Sequence, residues 1–147
     1  MPGFNSGYGV VSGMSKFFPN VPFELVNFNG SGKYSDPEFT WMQKAVPTGL
    51  KFLSSDKLGK AYKNELFVGT FNAGNIYHFN LTEDRAQLML PQSLQSKILL
   101  TLNSTGSNSI EFGTNFGGIS GINVGPDGYL YVVGVTNGAI YKITNKN

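Results

Sequence analysis

Ile119-Ser120-Gly121-Ile122-Asn123-Val124-Gly125-Pro126-Asp127-Gly128-Tyr129-Leu130-Tyr131-Val132-Val133-Gly134-Val135-Thr136-Asn137-Gly138-Ala139-Ile140-Tyr141-Lys142-Ile143 reads as three short strands in tight succession. Apolar residues alternate with others at the period of a strand, not of a helix. Between the first two strands stands Gly125-Pro126-Asp127-Gly128. Proline pre-sets φ at the second turn position, and aspartate and glycine accept the positions that follow. Between the last two stands Asn137-Gly138, the strongest two-residue hairpin signal. The expected unit is an antiparallel meander.

Working toward the N-terminus, the same grammar recurs. Glu65-Leu66-Phe67-Val68-Gly69-Thr70 reads as a buried strand, Ala73-Gly74-Asn75 as a turn, and Ile76-Tyr77-His78-Phe79-Asn80-Leu81 as a second strand. Leu50 to Leu53, Ile98 to Leu102, Tyr8 to Val11 and Pro22 to Phe28 are further candidate strands. Lys57 to Lys63 and Gln92 to Lys97 suit single helical turns. Leu66 to Phe79 aligns with Leu130 to Ile143 at a separation of 64 residues, Ile76-Tyr77-His78-Phe79 matching Ile140-Tyr141-Lys142-Ile143. A repeated meander is the mark of blades around an axis. A two-sheet sandwich is the other arrangement compatible with such strands.

Composition supports an all-β chain and removes several function classes. Only 14% of the 147 residues are charged, against roughly 25% in soluble domains, whereas the chain holds 19 Gly, 12 Phe and 7 Tyr. A net charge of +2 without a Lys/Arg cluster offers no footprint for nucleic acid or an anionic membrane. With no cysteine there is no disulfide, thiol nucleophile or Cys-based metal site. No apolar run approaches the ~20 residues that span a bilayer. Met1 to Ser15 lacks a basic start and a continuous apolar stretch, so it is not read as a secretory signal. There is no Gly-x-Ser-x-Gly elbow, phosphate-cradling loop or His/carboxylate metal spacing. Asp127 is read as a turn former, His78 as a half-exposed strand residue, and Asp36, Glu38 and Asp56 as solvated loop charges.

In order and spacing, several blocks resemble the glucose/sorbosone dehydrogenase family of soluble six-bladed propellers that bind pyrroloquinoline quinone (PQQ) and calcium. These blocks are Asp36 to Trp41, Val46 to Phe52, Asn64 to Gly69, Phe116 to Ile119, Val124 to Tyr131 and Gly138 to Ile143. The resemblance implies antiparallel four-stranded blades of a six-bladed propeller, incomplete in one chain. Residues 1–40 would be an irregular lead-in with edge strands, 41–110 one blade and 111–147 the last blade. It implies a fragment or degenerate homologue of a quinoprotein sugar dehydrogenase, an oxidoreductase, inactive as this chain alone. A carbohydrate- or protein-binding propeller module without catalysis is the alternative. A periplasmic or extracellular setting goes with the family.

The same resemblance supplies site expectations. The family's catalytic histidine has no counterpart here, so no catalytic residue is assigned. Its cofactor lysine falls at about Asn72, and its two arginines fall in Gly118-Ile119-Ser120-Gly121, near Gly118 and Ser120. All three positions are neutral. Charge-assisted bonds contribute about 1.5–3 kcal/mol each, so tight binding of the anionic quinone is not expected, and PQQ and calcium enter by family resemblance only. Trp41, with Tyr34, falls where relatives place an aromatic residue over the sugar, although core filling is the alternative for Trp41. Uncovered sheet edges imply a homo-oligomer or a missing propeller half as partner.

Overall fold

The computed structural model describes residues 4–5, 33–34, 37–43, 45–102 and 104–145. Its elements are β1 (Phe4–Asn5), β2 (Lys33–Tyr34), β3 (Thr40–Trp41), β4 (Pro47–Phe52), β5 (Leu66–Thr70), β6 (Ile76–Leu81), β7 (Leu88–Met89), β8 (Ile98–Leu99), α1 (Thr105–Asn108), β9 (Glu111–Gly113), β10 (Ile119–Val124), β11 (Leu130–Gly134) and β12 (Ala139–Ile143). The protein is all-β: among the described residues α1 is a single four-residue turn, and 3₁₀ turns occupy only Lys60–Tyr62 and Gln92–Leu94. Candidate strands at Tyr8 to Val11 and Pro22 to Phe28 lie outside the described residues.

Two antiparallel sheets dominate. The first runs β4-β5-β6, with β7 and β9 sharing the outer edge of β6; the second is β10-β11-β12. Because β9 pairs with β6, the first sheet extends to Gly113, past the boundary at residue 110 expected from sequence. Two parallel pairings of two residues each accompany them, β1 with β2 and β3 with β8. Around the second, the amides of Thr40 and Met42 donate to the carbonyls of Lys97 and Leu99, both at 2.9 Å. Among the described residues no sheet closes on itself.

The first sheet has a core on each face. Phe67 and Ile76 point to one side, where Leu53, Ile119, Ile122, Leu130 and Val132 join them. Leu66, Val68, Tyr77 and Phe79 point to the other, beneath Leu94, Leu99 and Ile110. Burial on both faces explains why β5 reads as a continuous apolar run rather than an alternating one. The second sheet buries one face only, so β11 alternates; in β10 a bulge sets the buried Ile119 and Ile122 three apart.

Glycines let the sheets approach. A Cβ on Gly49 would lie 3.0 Å from the Ile122 backbone nitrogen, and one on Gly69 would lie 2.7 Å from Ile119 Cγ2. The Thr48 hydroxyl donates to the Ile119 carbonyl, joining β4 to β10.

The sheets are copies of one plan down to an irregularity. In both, the register slips once near the start of the first strand, between Pro47 and Gly49 and between Ile119 and Gly121. Conserving that bulge makes Gly49 correspond to Gly121, Leu50 to Ile122, Phe52 to Val124, Gly69 to Val133 and Ile76 to Ile140. The difference lies in the next connection. The first sheet uses residues 53–65, the second only 125–129. The longer connector folds over the shorter: Ser55 donates to the Gly128 carbonyl, Asn145 Nδ2 donates to the Lys57 carbonyl at 2.8 Å, and Leu58 enters the shared core.

Turn chemistry explains both loops of the second sheet. Gly128 N–H donates to the Gly125 carbonyl at 2.9 Å, with Gly128 at φ +83°. Asp127 accepts from the Tyr129 amide at 3.3 Å, from Tyr131 OH at 2.9 Å and from Lys142 Nζ at 2.6 Å. The Lys142 contact leads in holding its carboxyl down, at about 2. At the other hairpin, Gly134 pairs with Ala139, so the loop takes residues 135–138 rather than two. A two-residue type I′ turn needs φ > 0 at both central residues; here only Gly138 has it, at +60°. Asn137 instead turns across the chain, its Nδ2 donating to Tyr141 OH at 2.9 Å.

Candidate functional site

Three connections meet at one end of the two sheets: residues 71–75 between β5 and β6, 114–118 before β10, and 135–138 between β11 and β12. Between them lies an open cleft of about 480 Å³. Glycine builds its floor. Gly74 and Gly117 sit at φ +61° and +74°, and a Cβ on Gly74 would lie 2.6 Å from the Gly117 carbonyl oxygen. The Phe116 amide donates to the Gly74 carbonyl at 3.1 Å, and the Gly118 amide donates to Thr136 Oγ1.

Side chains of one character line the rim: the amides of Asn72, Asn115 and Asn137, the hydroxyl of Thr136, and the ring of Phe71. Phe71 remains exposed although its ring edge rests on Gly118, where an added Cβ would lie 2.7 Å from Cε2. The backbone amides of Phe71 and Asn72 donate to the Val46 and Ala45 carbonyls at 2.8 and 3.1 Å, fixing this turn against the strand entering β4. Among the described residues no charged side chain lines the cleft.

The cleft brings together two of the positions singled out in the sequence, Asn72 and Gly118. Ser120 is exposed on β10 and does not line it. An anionic tricarboxylate needs cations or dense donors where water is thin. This neutral lining does not fit PQQ, and among the described residues no three His, Asp or Glu side chains gather to hold a metal such as calcium.

Trp41 lies elsewhere. Its ring packs edge-on to Phe39 at 4.8 Å and tilted to Tyr77 at 5.5 Å, over the second core. Trp41 Nε1 and Tyr77 OH are both buried without a hydrogen-bond partner. Burial raises the Tyr77 pKa and Glu111 adds to this, while nearby Asn75 and Trp41 draw it partly back. Asn75 itself donates to Glu111 Oε2 at 3.0 Å. Tyr34 is in β2, its side chain outside the described residues, as is Asp36. Glu38 pairs with Lys97 at 3.1 Å, and Asp56 is exposed. Phe71, Asn115, Thr136 and Asn137 were not singled out from sequence; only the Asn137-Gly138 turn signal marked their neighbourhood.

His78 is half-buried among rings, with centroids 5.0 Å from both Tyr62 and Phe67, and its Nε2 has neither solvent nor partner. Burial lowers its pKa below the usual histidine value, with Glu65 pulling weakly upward. The unfolded chain then binds the proton first as pH falls, so stability drops as pH falls below about 6.5. His78 is the sole histidine of the chain. His78→Phe is therefore expected to flatten the fall in urea midpoint between pH 7.5 and 5.5, read by circular dichroism; an unchanged slope would contradict this assignment.

Compared with known proteins, the chain has no match: no family model, no curated protein and no solved structure aligns with it significantly.

Proposed function

We propose that the two sheets are consecutive blades of a propeller-type scaffold related to the quinoprotein sugar dehydrogenases, and that the cleft binds a neutral carbohydrate without oxidising it. The shared bulge, the shared register and the close approach of β10 to β4 through Gly49 support the blade reading. The chemistry of the cleft carries the binding reading: three amides, a hydroxyl and one exposed aromatic ring, with no charge among the described residues. Amides donate and accept at once, as sugar hydroxyls require, and an aromatic face covers the apolar C–H side of a pyranose. Catalysis of sugar oxidation would need a base beside the hydroxyl, and His78 does not line the cleft.

Calorimetry with a panel of neutral mono- and disaccharides tests this. At least one should bind with Kd on the order of 1 mM or tighter, and Phe71→Ala should weaken it about tenfold, the scale of one aromatic contact. Binding that ignores Phe71→Ala, or no binding across the panel, refutes the proposal.

A further inference from the structure

The internal interface between the sheets repeats in part at both ends of the pair. Where β10 meets the first sheet, Ile122 and Ile119 point at Gly69, and the Ile122 backbone passes over Gly49. By the shared register, Leu50 is the counterpart of Ile122 and Pro47 that of Ile119, on the side of β4 turned away from the second sheet. Leu50 is 59% exposed and Phe52 45%. At the far end, the counterparts of Gly69 and Ile76 are Val133 and Ile140, paired across β11 and β12 on the outward face. They are 39% and 72% exposed. Val133 and Ile140 are thus bare at one end. At the other, Leu66 and Val68, the counterparts of Leu130 and Val132, lie beneath Leu94, Leu99 and Ile110. What stays exposed there of the repeated contact is its β4 edge, Leu50 and Phe52, with the Arg85 guanidinium 5.6 Å from the Phe52 ring.

We infer that a second copy of this chain docks head to tail, its Leu50 and Phe52 seating on Val133 and Ile140 of the first. Two further observations fit that occupant. Gly121 has nothing within 4 Å of where its Cβ would be, whereas its counterpart Gly49 is held bare by a strand passing at 3.0 Å; Gly121 keeps the same clearance for an incoming strand. Sizes are exchanged in compensation as well. The internal contact sets a large Ile119 against Gly69, and the external one would set a small Pro47 against Val133, close to a volume-conserving swap. Because the two patches differ, the contact is heterologous and propagates into a ring or a row of copies. It stands or falls independently of the sugar reading.

Sedimentation of the full chain over a range of concentrations should show assembled species. Ile140→Asp and Gly121→Val should abolish them while leaving the circular dichroism spectrum and melting temperature of the monomer in place, since Ile140 is exposed and Gly121 faces open space. The absence of cysteine permits a geometric test. Under oxidation, Leu50→Cys combined with Val133→Cys should give a ladder of covalent multimers, and neither single variant should form a dimer. A wild-type chain that stays monomeric at every concentration overturns the inference. So does a disulfide dimer from Val133→Cys alone, which would mean a symmetric face-to-face contact.

Discussion

Gly134→Ala is expected to destabilise the fold by about 3 kcal/mol or more, although it adds only one methyl group. Gly134 is buried at the end of β11, and an added Cβ would fall far inside contact distance of the Phe116 carbonyl oxygen and 3.0 Å from Tyr141 Cε2. The obstacle is backbone, so no rotamer change relieves it; residues 114–118 would have to move, and the cleft with them. Against a total of roughly 5–15 kcal/mol for a domain, such a loss is severe. Gly121→Ala supplies the comparison. With open space at its Cβ it should change stability by less than about 0.5 kcal/mol. Urea unfolding of the two variants measures the difference, and equal midpoints would contradict the packing described for β11.

Phe67→Ala has the other large expected effect, a loss of about 3–5 kcal/mol. Phe67 is fully buried at the centre of the first sheet, and its ring lies 5.0 Å from both His78 and Phe112 and 6.2 Å from Tyr62. It belongs to the core that joins the two sheets, together with Leu53 and Ile76 of the first and Ile119 and Ile122 of the second. Strands bonded into separate ladders cannot collapse into the vacated space without breaking register, which places the cost toward the upper end of that range. Leu100→Ala, at a side chain 62% exposed, should leave the midpoint nearly unchanged. A Phe67→Ala loss below about 1 kcal/mol would mean that the sheets do not share a core.

Strand identity was legible in the sequence because period-2 alternation and Gly/Pro/Asn turns are local signals. Leu66 to Thr70 stands where a short apolar run bounded by turn residues puts it, and Ile76 to Leu81 and the three strands from Ile119 stand between the turns that bound them. Non-local features were not legible. The loop at Asn137-Gly138 is longer than its dipeptide suggests, because Asn137 and Thr136 bond to Tyr141 and Gly118 instead of closing a tight I′ turn. Strand β9 joins the first sheet across a long connection that no periodicity announces. The cleft followed the same rule. Asn72 and Gly118 were singled out by family resemblance, but Phe71, Asn115 and Thr136 are ordinary loop residues until three connections converge on them. Trp41 shows the converse: family position placed it over a sugar with core filling as the alternative, and Phe39, Tyr77 and Phe79 pack around its ring.

The pairing of β3 with β8 has a kinetic consequence. Each meander is assembled from neighbouring strands joined by turns, so its loop-closure cost is small and it can form early. Thr40–Trp41 must instead find Ile98–Leu99 across β4 to β7, and only two positions pair in return. Such a clasp forms after the meander it encloses, and it is the first place to open. The second core, with the unpartnered indole N–H and phenol at its centre, is thus the last part of the molecule to consolidate and the first to admit water.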